Sequence, residues 1–103
     1  MKILQEKVKL FCEKNHLNSS IEYRILDAMS ELGEVAKEVL KSTDYGNRSF
    51  QYNDKFKMEL GDALYSIITV ANTFDIDLED ALNSVLKKYK NRIKKGSPGS
   101  END

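Results

Sequence analysis

SELGEVAKEVLK, residues 30–41, is echoed by MELGDALYSIITVANTF, residues 58–74, and both carry an acid-Leu-Gly-acid unit: Glu31 to Glu34 and Glu59 to Asp62. Acids three apart share one side of a helix. A glycine inside a helix costs about 1 kcal/mol relative to alanine, so its use in both units calls for a compensating gain. Gly33 falls on the side of its helix away from the acids. The expected role of both glycines is therefore to let a neighbouring helix come close, which holds the acidic edges at fixed distance.

The surrounding pattern is helical. Ile21, Ile25, Ala28, Leu32, Val35 and Val39 recur at steps of three and four, one apolar stripe running to about Lys41. SSIE at 19–22 fits a capping box, with Ser19 as N-cap and Glu22 as its partner. A further helix, starting near Asn53 or Asp54, carries Phe56, Leu60, Ala63, Leu64, Ile67, Ala71 and Phe74. Asp77 opens another through Leu82, Leu86 and Ile93, and residues 2–14 form the first, with Ile3, Leu4, Val8 and Phe11 at helical spacing. Pro98, the sole proline, lies beyond all of them. The expectation is an all-α four-helix bundle, with residues 1–95 as one domain and a disordered tail over 96–103.

Composition narrows the partners. Among 103 residues, 16 Lys+Arg nearly balance 17 Asp+Glu for a net charge of −1, so no overall field favours polymeric nucleic acid or a membrane surface. No apolar run approaches the roughly 20 residues of a membrane span, and the expected location is cytoplasmic. With one cysteine and one histidine, neither a disulfide framework nor a Cys/His zinc site can form. Cys12 beside Phe11 reads as a small buried apolar residue, and His16, in a turn, receives no catalytic role.

At 100° per residue, Asp27, Glu31, Glu34 and Glu38 fall within roughly 60° of one another beside the apolar stripe. Like charges spaced i,i+4 repel, so this ridge costs stability unless a cation offsets it. Glu59 and Asp62 are offset from their own stripe in the same sense. If the two helices pack side by side, their acidic edges converge into an oxygen-rich set suited to Mg²⁺. The competing reading is a solvated flank, partly neutralised by Lys37 and Lys41.

Taken together these segments resemble the MazG-type all-α nucleoside triphosphate pyrophosphohydrolases, whose signature is E-x-x-E, a spacer, then E-x-x-D. Glu31 and Glu34 match the first half, and Glu59 and Asp62 the second. The likeness covers about residues 20–94 and includes ANTFDIDLEDAL, residues 71–82, and KYKNRI, residues 88–93. It implies Mg²⁺-dependent cleavage, with Mn²⁺ as an alternative, between the α and β phosphates of a nucleoside triphosphate, giving the monophosphate and pyrophosphate. It also implies a homodimer or a dimer of dimers.

On this resemblance Glu31, Glu34, Glu59 and Asp62 hold the metal, and Glu38 is an extra ligand or proton acceptor. Lys88 and Arg92 match the K and R of the family's K-Y-x-x-R ending and would meet the leaving pyrophosphate. Val85 departs from an asparagine found in several relatives, which leaves base and sugar preference open. In the loop, Arg48 suits phosphate, while Tyr45, Phe50 and Tyr52 suit either a base or a packing role. A non-catalytic helical dimer that binds nucleotide or metal as a regulator is the alternative. A di-iron bundle requires Glu-x-x-His pairs, which are absent. Met29, Leu40, Tyr65 and Ile68 lie off the stripes and are expected to be buried by a second copy of the chain.

Overall fold

A computed structural model describes residues 1–96; the expected tail lies, from Ser97 onward, outside the described residues. The chain forms α1 (Lys2–Lys14), α2 (Ile21–Ser42), α3 (Asp54–Thr73) and α4 (Leu78–Lys94), with no strand among the described residues. The all-α reading therefore holds.

Side-chain caps set the helix starts. Asn53 accepts the Phe56 N–H at 2.8 Å, and Asp77 accepts the Glu79 N–H at 3.0 Å. The α2 cap is Ser20 rather than Ser19: its hydroxyl accepts the Tyr23 N–H at 3.2 Å. With Ile21 as the first helical residue, Tyr23 takes the position expected of Glu22. Glu22 instead places a carboxylate in the first turn, where the helix dipole favours it.

Helices α2 and α3 run antiparallel along their length, and three polar contacts mark the register. Arg24 Nη1 donates to the Thr69 carbonyl at 3.4 Å, Ser66 Oγ donates to Asp27 Oδ2 at 2.9 Å, and Lys55 Nζ lies 3.6 Å from Glu38 Oε2. Helix α1 lies on another flank of α3. There the Phe11 and Tyr65 rings meet edge-on at 6.2 Å between centroids.

Cys12 Sγ lies 3.3 Å from the Tyr65 hydroxyl, and that hydrogen bond, helped by burial, pushes the phenol up to about 12. Gln5 ties α1 to the α3–α4 turn. Its side chain donates to Asn72 Oδ1 at 3.1 Å and to the Ile76 carbonyl at 2.7 Å, and accepts the Leu78 N–H at 2.9 Å.

Two expectations fail here. A Cβ built on Gly33 or Gly61 meets nothing within 4 Å, so no close helix approach within the chain requires either glycine. The set expected at a second-copy interface also divides. Tyr65 packs on α1 and Ile68 is only 2% exposed, whereas Met29 and Leu40 remain 65% and 49% exposed. The cause is α1, which occupies the α3 flank that a second copy was expected to cover.

The stripe residues themselves are largely uncovered. Leu32, Leu60 and Leu64 are 48%, 48% and 41% exposed, and on α4 Leu82 and Leu86 are both 53% exposed. Helix α4 has no extensive packing against the other three. The radius of gyration is 16.8 Å, against about 13 Å for a compact domain of this length. One chain thus supplies four helices but covers few of their apolar faces.

The contacts within the chain should dominate its measured stability. Ile68→Ala is expected to cost about 2–5 kcal/mol, and Asn53→Ala, which removes a cap, about 1 kcal/mol. Urea unfolding of both variants checks the order of the two effects.

Candidate metal centre

The antiparallel register sets the acids of α2 and α3 opposite one another. Seen from the Ser66–Asp27 bond, one turn along α2 reaches Glu31, and one turn back along α3 reaches Asp62. Glu59 lies a further turn back. One carboxylate oxygen each from Glu31, Glu59 and Asp62 can be chosen so that all lie within 4.8 Å of one another. Glu31 and Glu59 are partly buried and Asp62 is exposed, so the cluster has a packed side and an open side.

Glu34 is exposed, and its carboxylate is outside this three-oxygen set. Its charge still reaches the site, because it contributes to the raised pKa of Glu31. Glu38 is 8% exposed and engages Lys55 rather than the other acids. Among the described residues no ion pair engages Glu31, Glu34, Glu59 or Asp62, and the neutralisation by Lys37 and Lys41 that the competing reading allowed is not formed.

Arg48 stands apart from the acids, in the segment between α2 and α3, where its Nε donates to the Ser42 carbonyl at 3.1 Å. It shares a cavity of about 730 Å³ with Glu38, Lys41, Tyr52 and Lys55. Lys88 and Arg92 lie on α4 at 5.7 and 5.4 Å from the Tyr89 ring centroid, and neither lines that cavity. Arg92 is buried at 6% exposure.

Sequence reasoning did not single out Ser66, the hydroxyl that anchors Asp27, or Lys55, the partner of Glu38. The signal for Lys55 is the register: it precedes Asp62 by as many residues as Glu38 follows Glu31. That relation is visible only once the two helices are known to be antiparallel.

The electrostatics fit a cation. Partial burial raises the Glu31 pKa above its ordinary 4.5, and the charges of Asp27, Asp62, Glu59 and Glu34 push it the same way. Carboxylate oxygens are the hard donors that Mg²⁺ and Mn²⁺ accept, and the exposed side leaves room for water and phosphate oxygens. The donor set therefore fits a hard divalent ion held between two helices.

A model of the MazG nucleotide pyrophosphohydrolase domain matches residues 20–97. An uncharacterized protein of Bacillus subtilis (strain 168), YpjD, is 37% identical over 67 residues, 62% of this chain. The chain spans 59% of the length of that relative. No solved structure matches it.

Glu31 also dictates a pH response. Its folded pKa lies above the unfolded value of 4.5, so folding favours its protonated form. The stability it contributes is complete below the unfolded value and is lost as pH rises through the raised folded one. Glu31→Gln should therefore melt at a higher temperature than the native chain at neutral pH in the absence of metal. The gap should shrink as pH falls through the raised folded value toward 4.5 and be smallest below it. Added Mg²⁺ should raise the melting temperature of the native chain and leave that of the variant nearly unmoved. A variant that is the less stable of the two at neutral pH without metal would contradict the crowding of charge.

Proposed function

Because the chain belongs to the MazG nucleotide pyrophosphohydrolase family, we propose that it is a Mg²⁺-dependent enzyme that cleaves a nucleoside or deoxynucleoside triphosphate to its monophosphate and pyrophosphate, serving nucleotide-pool housecleaning in the cytoplasm. The observation that carries this reading is the convergence of Glu31, Glu59 and Asp62 from two helices inside the family-matched segment. Among the described residues no helix is long and apolar enough to cross a membrane.

In this reading Glu31, Glu59 and Asp62 hold the ion, and Glu34, on the exposed edge beside them, joins as the fourth carboxylate. A bound Mg²⁺ supplies positive charge to phosphate oxygens and lowers the pKa of a coordinated water. The remaining work falls to the chain. Ser66, 2% exposed, holds Asp27 in place, and Asp27 in turn keeps negative charge beside Glu31. A carboxylate of the metal-holding set accepts the proton of the water that attacks the α-phosphorus, and the bond to the bridging oxygen breaks toward the β-phosphate; Glu38, two turns along α2 from Glu31 and engaged by Lys55, stands apart from that step. Arg48 offsets the charge gathering on the departing pyrophosphate, while Lys88 and Arg92, the cations that the family ending brings, lie outside the Arg48 cavity of their own chain.

A second copy of the chain belongs to the proposal. The stripes of α2, α3 and α4 leave apolar side chains uncovered, and a homodimer, or a dimer of dimers, would remove them from water. Light scattering should then give at least twice the 11.8 kDa chain mass. Leu64→Asp, which places a charge on an uncovered α3 face, should shift the protein toward monomer.

Turnover tests the chemistry. Pyrophosphate release from a panel of nucleoside triphosphates should require Mg²⁺ or Mn²⁺ and cease with a chelator. Glu34→Gln and Asp62→Asn should each abolish it with the helical circular dichroism unchanged. Metal binding without turnover on any member of the panel would favour the regulatory alternative.

A further inference from the structure

The segment between α2 and α3 builds a basic enclosure next to the acids. Beyond Thr43 the backbone turns through left-handed Asp44, Tyr45 and Gly46, at φ 49°, 55° and 91°. The Arg48 N–H then returns to the Thr43 carbonyl at 2.9 Å, and the Arg48 side chain to the Ser42 carbonyl at 3.1 Å. These bonds pin a guanidinium against the last turn of α2. Lys41 comes from that same turn, and Lys55 from the first turn of α3.

The resulting cavity of about 730 Å³ is lined by Lys41, Arg48 and Lys55 against a single acid, Glu38, in a chain whose net charge is −1. Lys55 is the informative cation. It faces a carboxylate that is only 8% exposed, yet its ammonium stands 3.6 Å away, farther than the roughly 2.7–2.9 Å of a full charge-assisted hydrogen bond. An ammonium has three donors, so Lys55 can serve Glu38 and an incoming anion together. Glu38 lies two turns along α2 from Glu31, about 10 Å by the helical rise. That separation is the scale of an extended phosphate chain with one end at the carboxylates.

We infer that the cavity bounded by Lys41, Arg48 and Lys55 is an anion subsite that receives the pyrophosphate end of the nucleotide while the α-phosphate lies at the carboxylates. This rests on the hydrolase reading for the identity of its ligand. Sugar and base then lie on the side of the acids away from this cavity. Lys41, Arg48 and Lys55 bind the leaving group, and their number sets how much charge it can carry.

Calorimetric titration of the full chain in a chelator, with inorganic pyrophosphate and separately with a nucleoside monophosphate, separates this subsite from the metal chemistry. The native chain should bind pyrophosphate without metal. Arg48→Gln and Lys55→Gln should each weaken that binding about tenfold, the cost of one lost charge-assisted bond, with monophosphate affinity changed less than about twofold. Lys55→Gln also strips Glu38 of its partner, so Arg48→Gln, in the connecting segment, is the variant that decides if Lys55→Gln fails to fold. Pyrophosphate affinity unmoved by Arg48→Gln overturns the subsite, as does an equal loss for both ligands, which would place the nucleoside there. A protein that binds pyrophosphate in this Arg48-dependent way but hydrolyses no nucleotide overturns the hydrolase reading alone.

Discussion

Ser66 donates its hydroxyl to Asp27 at 2.9 Å across the antiparallel contact of α2 and α3, and both the site and the cavity beside it depend on the register that this bond marks. A slip of one residue in either helix turns its side chains by about 100°, which would carry Glu59 and Asp62 away from Glu31. Ser66 is 2% exposed, so a hydroxyl without its acceptor there would cost about 1–3 kcal/mol. The bond therefore selects one register and, with it, the convergence of the carboxylates.

The charge along this contact is unevenly compensated. Toward the Glu38 end Lys55 offsets the acid, and Arg48 and Lys41 make the surroundings basic. Around Glu31 no basic side chain forms an ion pair with the acids among the described residues, and the Glu31 pKa rises. Stability alone favours an ion pair at the Glu31 cluster, and none forms there among the described residues. The proposed site, with a cation at one end and an anion at the other, would account for the contrast, since a metal nucleotide complex brings both.

The apolar faces tell a related story. Ile68, Ala63 and Ala71 are buried by contacts within the chain, and polar ties such as the Gln5 bonds hold α1 and the α3–α4 turn in place. Leu32, Leu60, Leu64, Leu82 and Leu86 remain about half exposed. Burying such side chains fully is worth about 1.5–3 kcal/mol each. The proposed assembly would supply the stability that the separate chain does not gain from those faces.

The helices were legible in the sequence because each carries its own apolar period and α2, α3 and α4 open on a polar cap; Asn53 and Asp77 cap where expected, and the α2 cap falls one residue later, at Ser20. The E-x-x-E and E-x-x-D spacings likewise placed each pair of acids on one side of its helix. What sequence could not decide was anything that depends on which faces meet. Tyr65 and Ile68 read as outward because periodicity is blind to α1 lying along α3. Leu60 and Leu64 read as core because an apolar stripe looks the same whether it is covered or left open. The glycines suggested close packing, yet the space beside them is open. The pairing of Lys55 with Glu38, the anchoring of Asp27 by Ser66 and the separation of Glu34 from the three-oxygen set all follow from an antiparallel register between residues far apart in sequence. Local spacing determined what each helix presents; only the tertiary contact of α2 with α3 decided which of those groups share a site.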